Sequence, residues 1–332
     1  MSDDRLTAEQ FDILLTAAVA APSMHNTQPW RFEVGGRAID VFLDESRSLP
    51  AEDPSGRAMR IAAGAAVLNL RIAAAHLGLH TWYGLEPDPS RPGLVARVVV
   101  ERSAIVDPEL WSLYDEIPRR HTSRGPAPAA DIPAPVRAVL MRAALAEGAE
   151  LTWLDDRRAT GVLDLIRDAD LRGVGEWTRT AERRLWVGGS RTDDGVPSSA
   201  LGPRSETYPG VVRDLAVAPW DRQRRTATFE KHPLLMILST EGDRGADQVA
   251  AGMALQRVLL TATRHGLSAS FLNQPLEYDD LCARVQAVTG KPGHAHMVIR
   301  LLRSRKQEPT PRRAVADVTT TVTPEPHDTR GV

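Results

Sequence analysis

The chain has 332 residues, 42% of them hydrophobic, enough to bury a substantial core as two average domains or one large one. Its 41 basic and 43 acidic side chains leave a formal charge of −2, so no polyanionic partner such as nucleic acid is expected. A single cysteine, Cys282, excludes an intramolecular disulfide framework and cysteine-cluster metal sites; within "YDDLCARVQAV" it reads as a small buried hydrophobe.

At the N-terminus, "MSDDRLTAEQF" lacks the basic and apolar regions of a secretory signal, and apolar stretches are interrupted by Arg, His or Gly short of a membrane span. A cytoplasmic location is expected. Thr7 followed by Gln10 forms a capping box for a helix over "TAEQFDILLTAAVAAP". That helix delivers the chain into "APSMHNTQPWRF", Ala21 to Phe32, a loop crowded with Ser, His, Asn, Thr and Gln between two prolines. Next, "RFEVGGRAIDVFLD" alternates and turns at Gly35-Gly36, as a hairpin does. "AMRIAAGAAVLNLRIAAAHLGL" then reads as a long helix, apolar nearly all round and therefore central.

This helix has an internal echo. "GAAVLNLRIAAAHLGL" and "GMALQRVLLTATRHGL" share Gly, Ala, Ala, Gly and Leu, and 188 residues separate Gly64 from Gly252 and Gly78 from Gly266. A weaker echo of the first helix, "PAPVRAVLMRAALAEGAELTWLDD", runs straight into a strand without a counterpart of the "PSMHNTQP" loop. Two related halves are expected, 1–118 and 119–318. The stretch from Trp186 to Val212, dense in Gly, Pro, Ser and charge, reads as a lid or as disorder. The tail 319–332 is expected to be loose.

No dinucleotide fingerprint, P-loop, nucleophile elbow or zinc-protease motif occurs. His294 and His296 in "GHAHMVIRLL" suggest a surface pair without a third ligand, so no metal is expected. What remains is arginine beside phosphate-friendly groups. "IPRRHTSRG" gathers Arg119, Arg120 and Arg124 around a histidine and two hydroxyls, and "PTPRRAVADV" places Arg312 and Arg313 after prolines.

Together with "APSMHNTQPWRF", these segments resemble the FMN-dependent nitroreductase family, whose flavin loop carries A/S-P-S-x-x-N-x-Q-P-W and whose phosphate segment carries R-H-S/T-x-K/R. The division of the signals, with the loop in one half and the basic segment in the other, resembles the Acg-like subfamily. The resemblance implies an α+β, nitroreductase-like fold, duplicated so that one chain mimics the family homodimer, with one FMN and no need for a second subunit.

It further implies that Arg120, Arg124 and Arg313 hold the FMN phosphate beside His121 and Thr122, with Arg119 and Arg312 of second rank. Planar bidentate donors suit such a group. Pro22, Ser23, Met24 and Asn26 would meet the isoalloxazine and ribityl region, Gln28 would either join them or tie down its own loop as a buried amide, and the backbone from Leu272 through Asn273 to Gln274 would pass the N5 edge. Trp30 is assigned to packing. The implied activity is hydride transfer from NAD(P)H through the flavin to a nitro or quinone acceptor, with ping-pong kinetics and no protein nucleophile. The alternative is a lid-covered protein that stores or sequesters FMN.

Overall fold

A computed structural model describes residues 5–86, 88–103, 106–126, 131–207, 210–216, 218, 221–303 and 308–322. The first helix, α1 (Ala8–Val19), begins at the expected capping box. Thr7 Oγ1 accepts from the Gln10 N–H at 3.2 Å, and Gln10 Oε1 accepts from the Thr7 N–H at 2.9 Å. Strands β1 (Trp30–Gly35) and β2 (Ala38–Leu43) form the expected antiparallel hairpin, which turns on Gly36 at φ 61°. Helix α2 (Arg57–His76) leads to β3 (Leu79–Leu85) and β4 (Leu94–Arg102).

After the single turn α3 (Pro108–Trp111) come α4 (Ala134–Leu145), β5 (Glu150–Trp153), α5 (Asp156–Gly173) and α6 (Trp177–Trp186). The short parallel pair β6 (Arg204–Ser205) and β7 (Thr226–Ala227) precedes β8 (Leu234–Thr240), α7 (Gly245–Arg264) and β9 (Ser268–Phe271). The chain ends with α8 (Asp279–Thr289), β10 (His294–Leu302) and β11 (Thr319–Thr321).

Two sheets result, ordered β11-β1-β2-β4-β3 and β5-β8-β10-β9. Without β11 they share one plan: a strand, its antiparallel neighbour, a long helix, and a returning pair added in reverse order. The helices match residue for residue, since α2 and α7 each span 20 residues and both their starts and their ends are 188 apart.

Their contact is reciprocal as well. A Cβ on Gly64 would lie 2.0 Å from the Val249 carbonyl oxygen, and one on Gly252 would lie 2.0 Å from that of Ile61, the residue 188 before Val249. Both helices are mostly buried between the sheets. Among the described residues α2 alone has the length and apolarity of a membrane-crossing helix; here those properties serve the interior contact with α7. At its centre Gln256 donates to Asn69 Oδ1 at 2.8 Å, and Asn69 donates to the Ala17 carbonyl at 2.7 Å, while Gln256 Oε1 is buried without a partner.

Two expectations are corrected. The tail is not loose from Thr319: β11 pairs in parallel with β1, Phe32 opposite Thr319 and Val34 opposite Thr321, and buried Val318 anchors its start. Composition gives no sign of this because a backbone ladder needs no apolar side chains. The rest of the expected tail, 323–332, lies outside the described residues. The second correction is His296, which is fully buried with Nε2 2.6 Å from Thr240 Oγ1, while His294 alone is exposed. Burial pushes the His296 pKa down to about 4, so the ring is neutral at pH 7. Cys282 is half-buried against an apolar cluster, as expected of a small hydrophobe.

Candidate cofactor site

The loop leaving α1 is built from unusual backbone. His25, Asn26 and Gln28 have φ of 49°, 58° and 52°, in the left-handed region that non-glycine residues enter at a cost. Hydrogen bonds hold it there. Ser23 Oγ accepts from the Gln28 N–H at 2.9 Å, closing the turn. The Asn26 amide donates to the carbonyls of Gly195 and Pro311, both at 2.9 Å, and its oxygen accepts from Arg312 Nη1 at 2.9 Å. Gln28, fully buried, donates to the Asp193 carbonyl at 2.8 Å and accepts from the Arg313 N–H at 2.9 Å. These two amides therefore join three segments distant in sequence. Trp30 is fully buried.

The basic segment runs beside β9, where Ser123 N–H donates to the Ala269 carbonyl at 2.8 Å and Thr122 forms a bridge to the same residue. Its far end is held by Arg300, fully buried in β10, which donates through both terminal nitrogens to the Gly125 carbonyl at 3.1 Å and pairs with Glu230.

Arg120, Arg124 and Arg312 converge on one small cavity, whose lining also includes Pro22, Ser23 and His121. Arg120 and Arg312 both donate to the Ala20 carbonyl at the C-terminal end of α1, at 3.4 and 3.3 Å, and Arg124 donates to the Ala200 carbonyl at 3.2 Å. Among the described residues none of the three is hydrogen-bonded to a carboxylate, and the Nε atoms of Arg120 and Arg312 are buried without a partner. Burial, reinforced by repulsion from Arg312 and Arg124, pushes Arg120 down to about 9. Burial alone brings Arg124 and Arg312 to about 10. All three remain charged at pH 7. Burial and the charges of Arg120 and Arg312 also lower His121, favouring its neutral form. The acidic residue in the same lining, Glu308, is exposed and is not hydrogen-bonded to any of the three among the described residues, and buried cations so placed are costly unless an anion completes them.

A second cavity, of about 310 Å³, adjoins the first through Arg124 and has walls from Arg179, Arg183, Leu201, Phe229 and Tyr278. Beneath it lies Glu52, whose fully buried carboxylate meets His25 and Arg183, with Arg213 at 3.6 Å. Burial raises the Glu52 pKa, but the contacts with His25, Arg183 and Arg213 outweigh it and hold the carboxyl far below the ordinary range. Its stabilising effect is therefore complete above the unfolded value near 4.5 and fades as pH falls below it. Glu52→Gln is expected to lower the melting temperature by several degrees at pH 7, with the gap to wild type narrowing between pH 5 and pH 3. Melting curves across that range check this; a gap independent of pH would mean that packing, and not the ionised carboxylate, matters.

The remaining expected residues fall elsewhere. Arg119 is exposed beside Glu116 at 3.4 Å. Arg313 turns from the cavity toward Asp44 at 3.4 Å and the Asp317 carbonyl at 3.0 Å, so Arg312 takes the place in the lining that its neighbour was given. Thr122, by contrast, does line the arginine cavity, and Met24 is half-buried at the loop's short helical turn. Leu272, Asn273 and Gln274 lie past β9 and outside that lining; Asn273 Oδ1 accepts from the Val298 N–H at 2.9 Å, and Gln274 Nε2 is buried without a partner. The stretch Trp186–Val212 is ordered where described, with Val187, Val196, Ala200 and Leu201 packed as a small core and Gly195 tied to Asn26.

No family model matches the chain. A Mycobacterium tuberculosis protein named as an NAD(P)H nitroreductase is 30% identical over 325 residues, covering 94% of this chain and 91% of the relative. The chain belongs to the NAD(P)H nitroreductase family. A second member from the same organism, the NAD(P)H nitroreductase named acg, is 27% identical over 326 residues, covering 96% and 97%. Among solved structures, a BluB-like flavoprotein from Clostridium difficile matches with a TM-score of 0.42 and 14% identity, over 64% of this chain and 99% of the other. A nitroreductase with bound FMN from Desulfitobacterium hafniense matches with a TM-score of 0.42 and 12% identity, over 63% and 97%.

Sequence reasoning passed over several residues that shape the site in this nitroreductase-family chain. Glu52 carries no local signal, because its partners come from positions 25, 183 and 213. Arg300 does carry one: an arginine inside the apolar run "HMVIRLL" is seldom buried unless it is paired.

Proposed function

We propose that the chain binds one FMN and is an oxidoreductase that takes electrons from NAD(P)H and passes them to a nitro or quinone-type acceptor. The convergence of Arg120, Arg124 and Arg312 on one cavity, without a paired carboxylate among the described residues, carries this reading. A phosphate group would bring to the buried arginines the charge that exposed Glu308 does not, and would accept from the unpartnered Nε atoms. When bound, FMN supplies the hydride chemistry at its N5 atom.

The chain's own residues bind and orient. Arg120 and Arg312 hold the phosphate, and Arg124, common to both cavities, extends positive potential toward the second, where it favours negative charge arising on a ring there. Ser23 and Pro22 line the arginine cavity from the first half, and the buried, unpartnered Gln274 Nε2 would be a donor available to the flavin from the second. We take the shared strand order and the 188-residue correspondence as the mark of a duplication that fused two family subunits into one chain. The loop of one half and the basic segment of the other then make a single site.

A second reading, a flavin-holding protein with little turnover, is favoured by the way Asn26 and Gln28 bind the 193–195 segment to the flavin loop. Anaerobic titration of the purified protein with NADPH and with NADH separates the two. Bleaching of the flavin band by either nicotinamide, with one FMN released per chain on denaturation, is the expected result. A yellow protein bleached by dithionite alone would favour holding, and two FMN per chain would overturn the fused single site.

A further inference from the structure

Helix α6 is amphipathic in the unexpected sense. Three of its charged residues face inward: Arg179 pairs with Glu176 and Glu277, Arg183 with Glu52, and the Glu182 carboxylate accepts from the Ala51 and Glu52 N–H groups at 3.0 and 2.9 Å, while Arg184 is exposed and flanks Trp177. Apart from Trp186, which packs on the small core of Val187 and Val196, its apolar residues face outward. Trp177 is 77% and Leu185 70% exposed, with exposed Ala181 midway between them, and Val174 and Leu171 continue the patch at 63% and 54%. On a helix, positions four apart share a face, so Trp177, Ala181 and Leu185 form one stripe.

We propose that this stripe is a self-association surface, on which α6 packs antiparallel against α6 of a second copy across a two-fold axis at Ala181. The spacing is self-complementary. Trp177 and Leu185 each stand four residues from Ala181, so the axis sets each tryptophan on the second copy's leucine while the small alanine lets the backbones approach. The exposed side chains present on the order of 500 Å² of apolar surface, at the upper end for a protein that stays monomeric. Two copies together bury roughly 1,000 Å², the lower limit of a specific interface, which fits a dimer of micromolar affinity.

A lipid surface fits less well. Arg172 pairs with Asp280 and Arg167 with Asp164, so exposed Arg184 is left as the main cation beside the stripe, and one such charge adds only about 1 kcal/mol of attraction to anionic headgroups. With the two halves fused, the family's contact at the flavin site is internal to the chain; the α6 contact instead joins, between copies, the helix that walls the second cavity.

Sedimentation velocity of the full chain, from micromolar to submillimolar concentration, is the test. Wild type is expected to shift from monomer toward dimer, and Trp177→Ser with Leu185→Glu to remain monomeric with an unchanged melting temperature. In a Cys282→Ser background, Ala181→Cys is expected to form an intermolecular disulfide on mild oxidation, because its two copies meet on the axis, whereas Arg184→Cys is not. A wild type monomeric throughout, a dimer that survives the double substitution, or equal cross-linking at positions 181 and 184 would each overturn the proposal. So would a monomer that sediments with phosphatidylglycerol vesicles.

Discussion

Arg120→Met is expected to strip the protein of FMN and, at the same time, to raise the melting temperature of the flavin-free chain. The two effects have one source. Arg120 is 5% exposed, its Nε is unpartnered, and neighbouring Arg312 and Arg124 repel it. A guanidinium brought down to about 9 from 12.5 is held in a fold that disfavours its charge by on the order of a few kcal/mol. Methionine removes that cost while keeping an unbranched apolar stem, so the flavin-free variant should melt several degrees higher. With phosphate present the sign reverses. Losing one buried, charge-assisted contact typically costs about 2–5 kcal/mol, or roughly 30- to 5,000-fold in affinity. Flavin absorbance per chain and calorimetry of the stripped protein check both halves. Full yellow occupancy with a lowered melting temperature would make Arg120 a structural residue and remove the phosphate assignment.

Gly64→Ala and Gly252→Ala are expected to be severely destabilising, and to similar degrees. Each new methyl would lie 2.0 Å from a backbone carbonyl of the facing helix, where no side chain can yield. Relief requires α2 and α7 to separate along a contact between two mostly buried helices. A loss above about 4 kcal/mol is expected for each, beyond the usual range for a point mutation. The double variant should lose less than the sum, because the first methyl already parts the helices that the second would push. Urea denaturation of the three variants checks this. A mild effect at one glycine and a severe one at the other would show that the reciprocal contact does not bear equally on the two halves.

Local chemistry was readable before the fold was. The Thr7–Gln10 box, the Gly35-Gly36 hairpin and the 188-residue echo depend on neighbours in sequence or on a repeated helix, and each appears in the structure. The loop and the basic segment were legible as motifs, and the fold brings Pro22, Ser23 and Asn26 to the same cavity as Arg120 and Arg124. The choice between Arg312 and Arg313 was not legible, because adjacent residues point apart and the Asn26, Gln28 and Asp44 contacts decide which faces inward. Nor was Glu52, since a buried carboxylate is defined by cations that arrive from elsewhere in the chain. His296 looked superficial beside exposed His294, yet alternation along a strand sends neighbours two apart to the same face only while the register is regular. The register of β10 with β8 shifts between Ala295 and Met297.

The pairing of β11 with β1 bears on biosynthesis. The sheet that opens the sequence receives its outer strand from Thr319–Thr321, nearly the last described residues to leave the ribosome. Until they emerge, the edge of β1 presents unpaired amides and carbonyls, open to a wrong strand or a neighbouring nascent chain. Arg312 emerges in the same final segment. The first half thus waits for Thr319–Thr321 to emerge before its sheet closes, and a chain that stops short of Arg312 lacks both that closure and part of its cation cluster.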